Sequence, residues 1–135
     1  MRGKPYMNPN ENTNEWLKKA NEDYAFASSI LPDTTFYAQV CFHFQQAAEK
    51  FLKAYIVKNE LEFKKIHDLT KLLQLCSESK NDFNSLFEEC NMLTDYYIDT
   101  RYPVHWPATV DKKEAEQALE AARKIKEFVE YSLKD

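Results

Sequence analysis

Residues 35–57 read TFYAQVCFHFQQAAEKFLKAYIV, and this stretch decides the fold. Tyr37, Val40, Cys41, Phe44, Ala47, Ala48, Phe51, Leu52, Tyr55 and Ile56 recur at the three- and four-residue steps of an α-helix. Their arc is wider than the stripe a helix needs to cover one neighbour. This helix is therefore expected at the centre of a bundle, in contact with two or more others. His43, Gln46, Lys50 and Lys53 form the polar stripe that remains.

Toward the N-terminus the pattern repeats in Trp16, Leu17, Ala20, Tyr24, Ala27 and Leu31, and it stops at Pro32 and Asp33. Asn12 and Glu15 stand at capping-box spacing and predict the start of this helix. Residues 1–11 are polar, contain Pro5 and Pro9 and show no period, so they are read as a flexible tail preceding one domain over 12–135. Beyond the central helix, a charged connection with Leu61 and Phe63 leads to a shorter helix over 67–76, with Leu69, Leu72, Leu73 and Cys76 inward. A fourth is predicted over 81–99 from Phe83, Leu86, Phe87, Cys90, Leu93 and Tyr97. Asp111 and Glu114 form a second capping-box pair and open the last helix, which carries Ala115, Leu119, Ala122, Ile125, Val129 and Leu133. No strand pattern or repeat emerges. The expected fold is all-α, an up-and-down bundle of about five helices.

Composition narrows the functional classes. A chain of 135 residues fits one domain, and with 44% hydrophobic and 30% charged residues it has the balance of a globular protein. Its single glycine is Gly3, which excludes a glycine-rich phosphate loop. The net charge of -4 argues against coating nucleic acid by bulk attraction, although residues 49–71 hold six lysines against four acids. Cys41, Cys76 and Cys90 form no CxxC pair and lie at no zinc-ligand spacing to a histidine, so they read as small core residues, and neither a metal nor a cofactor is expected. No apolar run approaches the roughly 20 residues that span a bilayer, and no hydrophobic signal core precedes Trp16, which makes the cytoplasm the expected location and a membrane an unexpected partner.

Residues 41–54, CFHFQQAAEKFLKA, together with His67-Asp68-Leu69, Thr100-Arg101-Tyr102-Pro103 and the alanine-rich last helix, resemble the HEPN family, in particular a branch with an Arg-Tyr-Pro loop. The likeness spans about residues 14–133. It implies a helical bundle that commonly forms a symmetric homodimer, often beside or fused to a minimal nucleotidyltransferase in toxin–antitoxin-like pairs. Members of the family have been regarded as nucleotide binders, RNA-cleaving toxins or non-catalytic binding modules. The resemblance also implies a catalytic motif for metal-independent RNA cleavage, an arginine followed by a histidine with four to six residues between.

Arg101 and His105 are the nearest match, with three residues between them, and Pro103 and Pro107 impose an extended or turning backbone on the segment. A histidine there can exchange a proton with a ribose hydroxyl or leaving oxygen, and a guanidinium can hold the charge growing on phosphate. Arg101 is also one of only three arginines, a hint of a bidentate contact to phosphate or carboxylate, with Asp99 or Glu49 as the alternative partner in a salt bridge. Arg101 and Tyr102 with His43, Gln46, Glu49, Lys50 and Lys53 are the candidate ligand-binding set, lysines meeting phosphate and Glu49 orienting Arg101. The plainer reading makes the helix residues its solvent side. His67 could serve as an acid or base, but its place before Asp68 and Leu69 at a helix start reads better as a cap or turn residue. Tyr96, Tyr97, Tyr102 and Trp106 could stack on a base, pack in the core or meet a second subunit.

The leading expectation is a nucleotide- or RNA-phosphate-binding module. A metal-independent endoribonuclease using Arg101 and His105 and a purely structural partner subunit are the alternatives.

Overall fold

A computed structural model of the chain describes residues 9–62, 65–98 and 109–134. Among them are five α-helices and no strand: α1 (Pro9–Ile30), α2 (Tyr37–Lys58), α3 (Leu69–Ser79), α4 (Phe87–Thr94) and α5 (Lys112–Ser132), with short 3-10 turns at Leu31–Asp33 and Asn81–Leu86. The all-helical bundle expected from periodicity is what forms.

The helix ends show where local chemistry overrode the simple pattern. α1 opens at Pro9, inside the stretch read as a tail and ahead of Asn12. Proline is accepted there because the first turn of a helix has no use for its missing N–H. α2 starts at Tyr37 rather than Thr35, since the Thr34 hydroxyl accepts the Phe36 N–H at 3.0 Å and holds a turn before the helix. Asp68 caps α3 by accepting the Thr70 N–H at 2.9 Å, so this helix begins at Leu69 and runs on to Ser79. The predicted helix over 81–99 is divided. Asn81 accepts a side-chain hydrogen bond from Asn84 at 3.0 Å in a 3-10 turn, and regular α-helix starts only at Phe87. Short polar side chains that bond locally compete with α-helical geometry in this way. At α5 the capping box is complete, with Glu114 N–H on the Asp111 carboxylate at 2.8 Å and Asp111 N–H on Glu114 at 3.4 Å.

α2 is the axis of the bundle. It packs most extensively against α1, next against α5, and also meets α3 and α4. Val40, Cys41, Phe44, Ala47, Ala48, Phe51, Leu52, Ala54 and Ile56 are buried along it, among Ala20 and Ala27 of α1, Leu69, Leu72 and Leu73 of α3, Cys90 and Leu93 of α4, and Ala118, Ala122, Ile125 and Val129 of α5. Each large aliphatic or aromatic chain in that group stabilises the fold by about 1.5–3 kcal/mol through apolar burial. The small residues of α1 and α5 allow close approach to the bulkier α2. No helix among the described residues is long and apolar enough to cross a membrane.

Candidate functional site

Two polar networks hang from α2, one reaching into this apolar interior and one at its partly exposed edge. The first is built at the junction of α2 with the residues that lead into α3. Glu49 is only 5% exposed, as is Lys53 one turn on, so both charges lie among the buried residues of α2. An isolated charge there would cost several kcal/mol in lost hydration, on the order of the penalty that forces buried ions to pair. The pairing is present: Lys53 Nζ donates to Glu49 Oε2 at 2.8 Å, and the same ammonium sits 5.6 Å from the centre of the Trp16 ring of α1.

Glu49 collects further donors. Gln45, fully buried, donates to Glu49 Oε1 and to the His67 backbone carbonyl, both at 3.3 Å, and Gln46 donates to the side-chain oxygen Oε1 of Gln45 at 2.8 Å. His67 Nδ1 stands 3.2 and 3.1 Å from the two Glu49 oxygens. A carboxylate can only accept, so Nδ1 carries the proton and donates. The His67 side chain is 47% exposed, and its ring stacks on Tyr97 with centroids 4.4 Å apart and planes 12° from parallel. One end of the network is therefore sealed under Trp16 and the other opens to solvent at His67.

The second network joins α1 to α2. Asp23 faces His43 Nδ1 at 3.1 Å and Lys50 Nζ at 2.6 Å. Burial pushes the Asp23 carboxyl up, but the hydrogen bonds from His43 and Lys50 and the Lys50 charge outweigh it and hold the group below its ordinary value. The His43 ring makes edge contacts with Phe26 at 4.9 Å and Phe42 at 5.6 Å.

The candidate set from the sequence thus separates. Gln46, Glu49 and Lys53 meet in the first network, while His43 and Lys50 belong to the second. The solvent-side reading fails for Glu49 and Lys53, because α1 and the approach to α3 cover that flank of α2. His67 is not the cap of α3; Asp68 is, and the His67 ring is turned back onto α2. Gln45, Trp16 and Asp23 join the networks from outside the sequence-derived set. Of these, Gln45 carries a sequence signal, a glutamine in register with Cys41, Ala48 and Leu52 on the buried face. Arg101, Tyr102, His105 and Trp106 lie outside the described residues.

Around these networks the chemistry is structural. The Tyr96 hydroxyl donates to Glu114 at 2.9 Å, and burial followed by that acceptor raises the phenol well above its ordinary value. The Cys76 and Cys41 thiols are each pushed up to about 12, first by burial, and Cys90 is raised in the same way. Among the described residues no three histidine, cysteine or acidic side chains converge as metal ligands.

The HEPN domain family matches residues 13–132 of the chain, which includes every helix after the first turn of α1. The crystal structure of TT1696 from Thermus thermophilus is similar over 94% of this chain and 100% of its own, at 34% identity and a TM-score of 0.74. The structure of ST0689, described as an archaeal HEPN homologue, is similar in fold over 90% of this chain and 98% of its own, at 24% identity and a TM-score of 0.71. No curated protein sequence matches the chain.

Proposed function

The chain belongs to the HEPN family, and from that premise we propose that it is a nucleotide- or RNA-phosphate-binding module that acts as a homodimer with a minimal nucleotidyltransferase partner, in the manner of a toxin–antitoxin pair. The observation that carries the reading is the charge-paired network of Gln45, Glu49, Lys53 and His67, sunk into the core at one end and open at the other. A bundle that needed only stability would gain as much from apolar residues at positions 49 and 53, because a buried ion pair seldom outperforms well-packed hydrophobic side chains. Such a network is suited to holding exposed groups in a fixed orientation toward a polar ligand.

Arg101 follows Tyr97 by four residues, a reach of at most about 14 Å along even a fully extended chain. In this reading Arg101 supplies the phosphate contact and Tyr102 belongs to the same ligand-binding set. A homodimer would bring two copies of Arg101, one from each chain, to the binding of an anionic ligand.

The test is a titration of the intact protein with labelled ADP and with short single-stranded RNA, its mass in solution measured by light scattering. Binding should fall at least tenfold in Arg101→Ala and persist in His105→Ala. Absence of detectable binding by the intact protein at millimolar ligand would overturn the reading. RNA cleavage in chelator that disappears in both variants would replace it with the endoribonuclease.

A further inference from the structure

The imidazole of His67 is fixed in a way that capping α3 does not require, since Asp68 already performs that task. Its Nδ1 is committed to Glu49, and Glu49 cannot turn away because Lys53 and Gln45 hold both of its oxygens. Rotation of the ring about its own axis is restrained by Tyr97, stacked at 4.4 Å on one face. A neutral imidazole that donates from Nδ1 has a bare lone pair on Nε2. That nitrogen lies two ring positions from Nδ1 in a side chain that is 47% exposed, and among the described residues the ring's hydrogen bonds go to Glu49 through Nδ1. With the ring neutral, the assembly presents an oriented hydrogen-bond acceptor, which is the wrong polarity for an unprotonated phosphate oxygen and the right one for a hydroxyl.

We propose that His67 recognises a ribose hydroxyl of the bound nucleotide, accepting its hydrogen bond at Nε2, and that Glu49 is the positioning residue that fixes the tautomer. This inference rests on the nucleotide-binding reading above and sharpens it: the ligand is a ribonucleotide and the site discriminates against deoxyribose. The discrimination follows from the same logic as any site built to pair with a substrate hydroxyl. A ligand that covers Nε2 but lacks the hydroxyl takes away its water and offers no partner in exchange.

The experiment compares the affinities of ADP, 2'-deoxy-ADP and 3'-deoxy-ADP for the wild-type protein and for His67→Phe. Phenylalanine keeps a flat ring against Tyr97 at an exposed position while Glu49 retains Lys53 and Gln45, so the bundle should persist. Wild type should bind ADP about tenfold more tightly than at least one deoxy analogue, the worth of one net hydrogen bond, and the variant should bind all three alike. A second measurement reads the tautomer directly: long-range proton–nitrogen correlation spectra of the neutral wild-type ring should show Nδ1 protonated and Nε2 bare, with the Nε2 resonance moving when ADP is added. Equal affinity of wild type for all three ligands, a preference that survives in His67→Phe, or a proton found on Nε2 would overturn the inference and leave nucleotide binding standing. Failure of wild type to bind ADP or RNA at all would overturn both.

Discussion

Glu60 sits at φ 54°, in the left-handed region, where it ends α2. Its N–H bonds the Val57 carbonyl at 3.1 Å and the Leu61 N–H bonds the Ile56 carbonyl at 3.0 Å, the pair of bonds that commonly terminates a helix with glycine at this position. In this chain a residue with a Cβ occupies the position and bears a cost of about 1 kcal/mol. Glu60→Gly should therefore stabilise the protein by about 0.5–1 kcal/mol in urea unfolding; a loss of stability would show that the glutamate side chain makes a larger compensating contribution. Lys53 is the opposite case. Lys53→Met leaves Glu49 buried without its ammonium partner, and should destabilise by about 3–5 kcal/mol, with much of the loss recovered when Glu49 is also changed to Met. Additive losses in the double variant would contradict the ion pair as the main source of that loss.

At the level of elements, α1 is fastened to α2 by Asp23, His43 and Lys50 as well as by apolar packing. The folded carboxyl of Asp23 lies below its ordinary value of 3.8. Its contribution is thus fully present above that pH and is lost as the pH falls through the lower folded value. Unfolding free energies measured from about pH 5 downward should decline below about pH 4, and Asp23→Asn should flatten part of that decline. Asp68, also held below its ordinary value by its Thr70 hydrogen bonds, accounts for a further part. An unchanged acid profile in Asp23→Asn would remove the network from the account of α1 docking. The cap of α5 gives a second check: Asp111→Ala should cost about 1 kcal/mol, read as a lower thermal midpoint. That cap was legible in the sequence because its two partners are three residues apart. The division of 81–99 was not, because Phe83, Leu86, Phe87 and Cys90 satisfy the spacing of a 3-10 turn leading into an α-helix as well as that of one continuous helix.

Across the whole molecule, the three thiols report on global opening. Cys41, Cys76 and Cys90 are buried and raised, so at neutral pH each should react with a thiol reagent only as fast as the bundle unfolds. A thiol that reacts at the rate of a free cysteine would place it at the surface instead. The core could be read from the chain because amphipathic period and helix packing obey the same geometry, and α2 lies at the centre as the breadth of its apolar arc requires. The polar networks could not. Gln45 and the His67 carbonyl it bonds are separated by 22 residues, and Asp23 and Lys50 by 27, distances over which no local periodicity carries information. The bond from Tyr96 to Glu114 belongs to the same long-range class, and it has an architectural consequence. It ties the exit of α4 to the first turn of α5, so the intervening segment begins and ends on pinned feet. Lengthening a tethered loop is inexpensive, about 0.6 kcal/mol for each doubling. A change in the length of the chain between Tyr96 and Glu114 therefore leaves the meeting point of α4 and α5 in place.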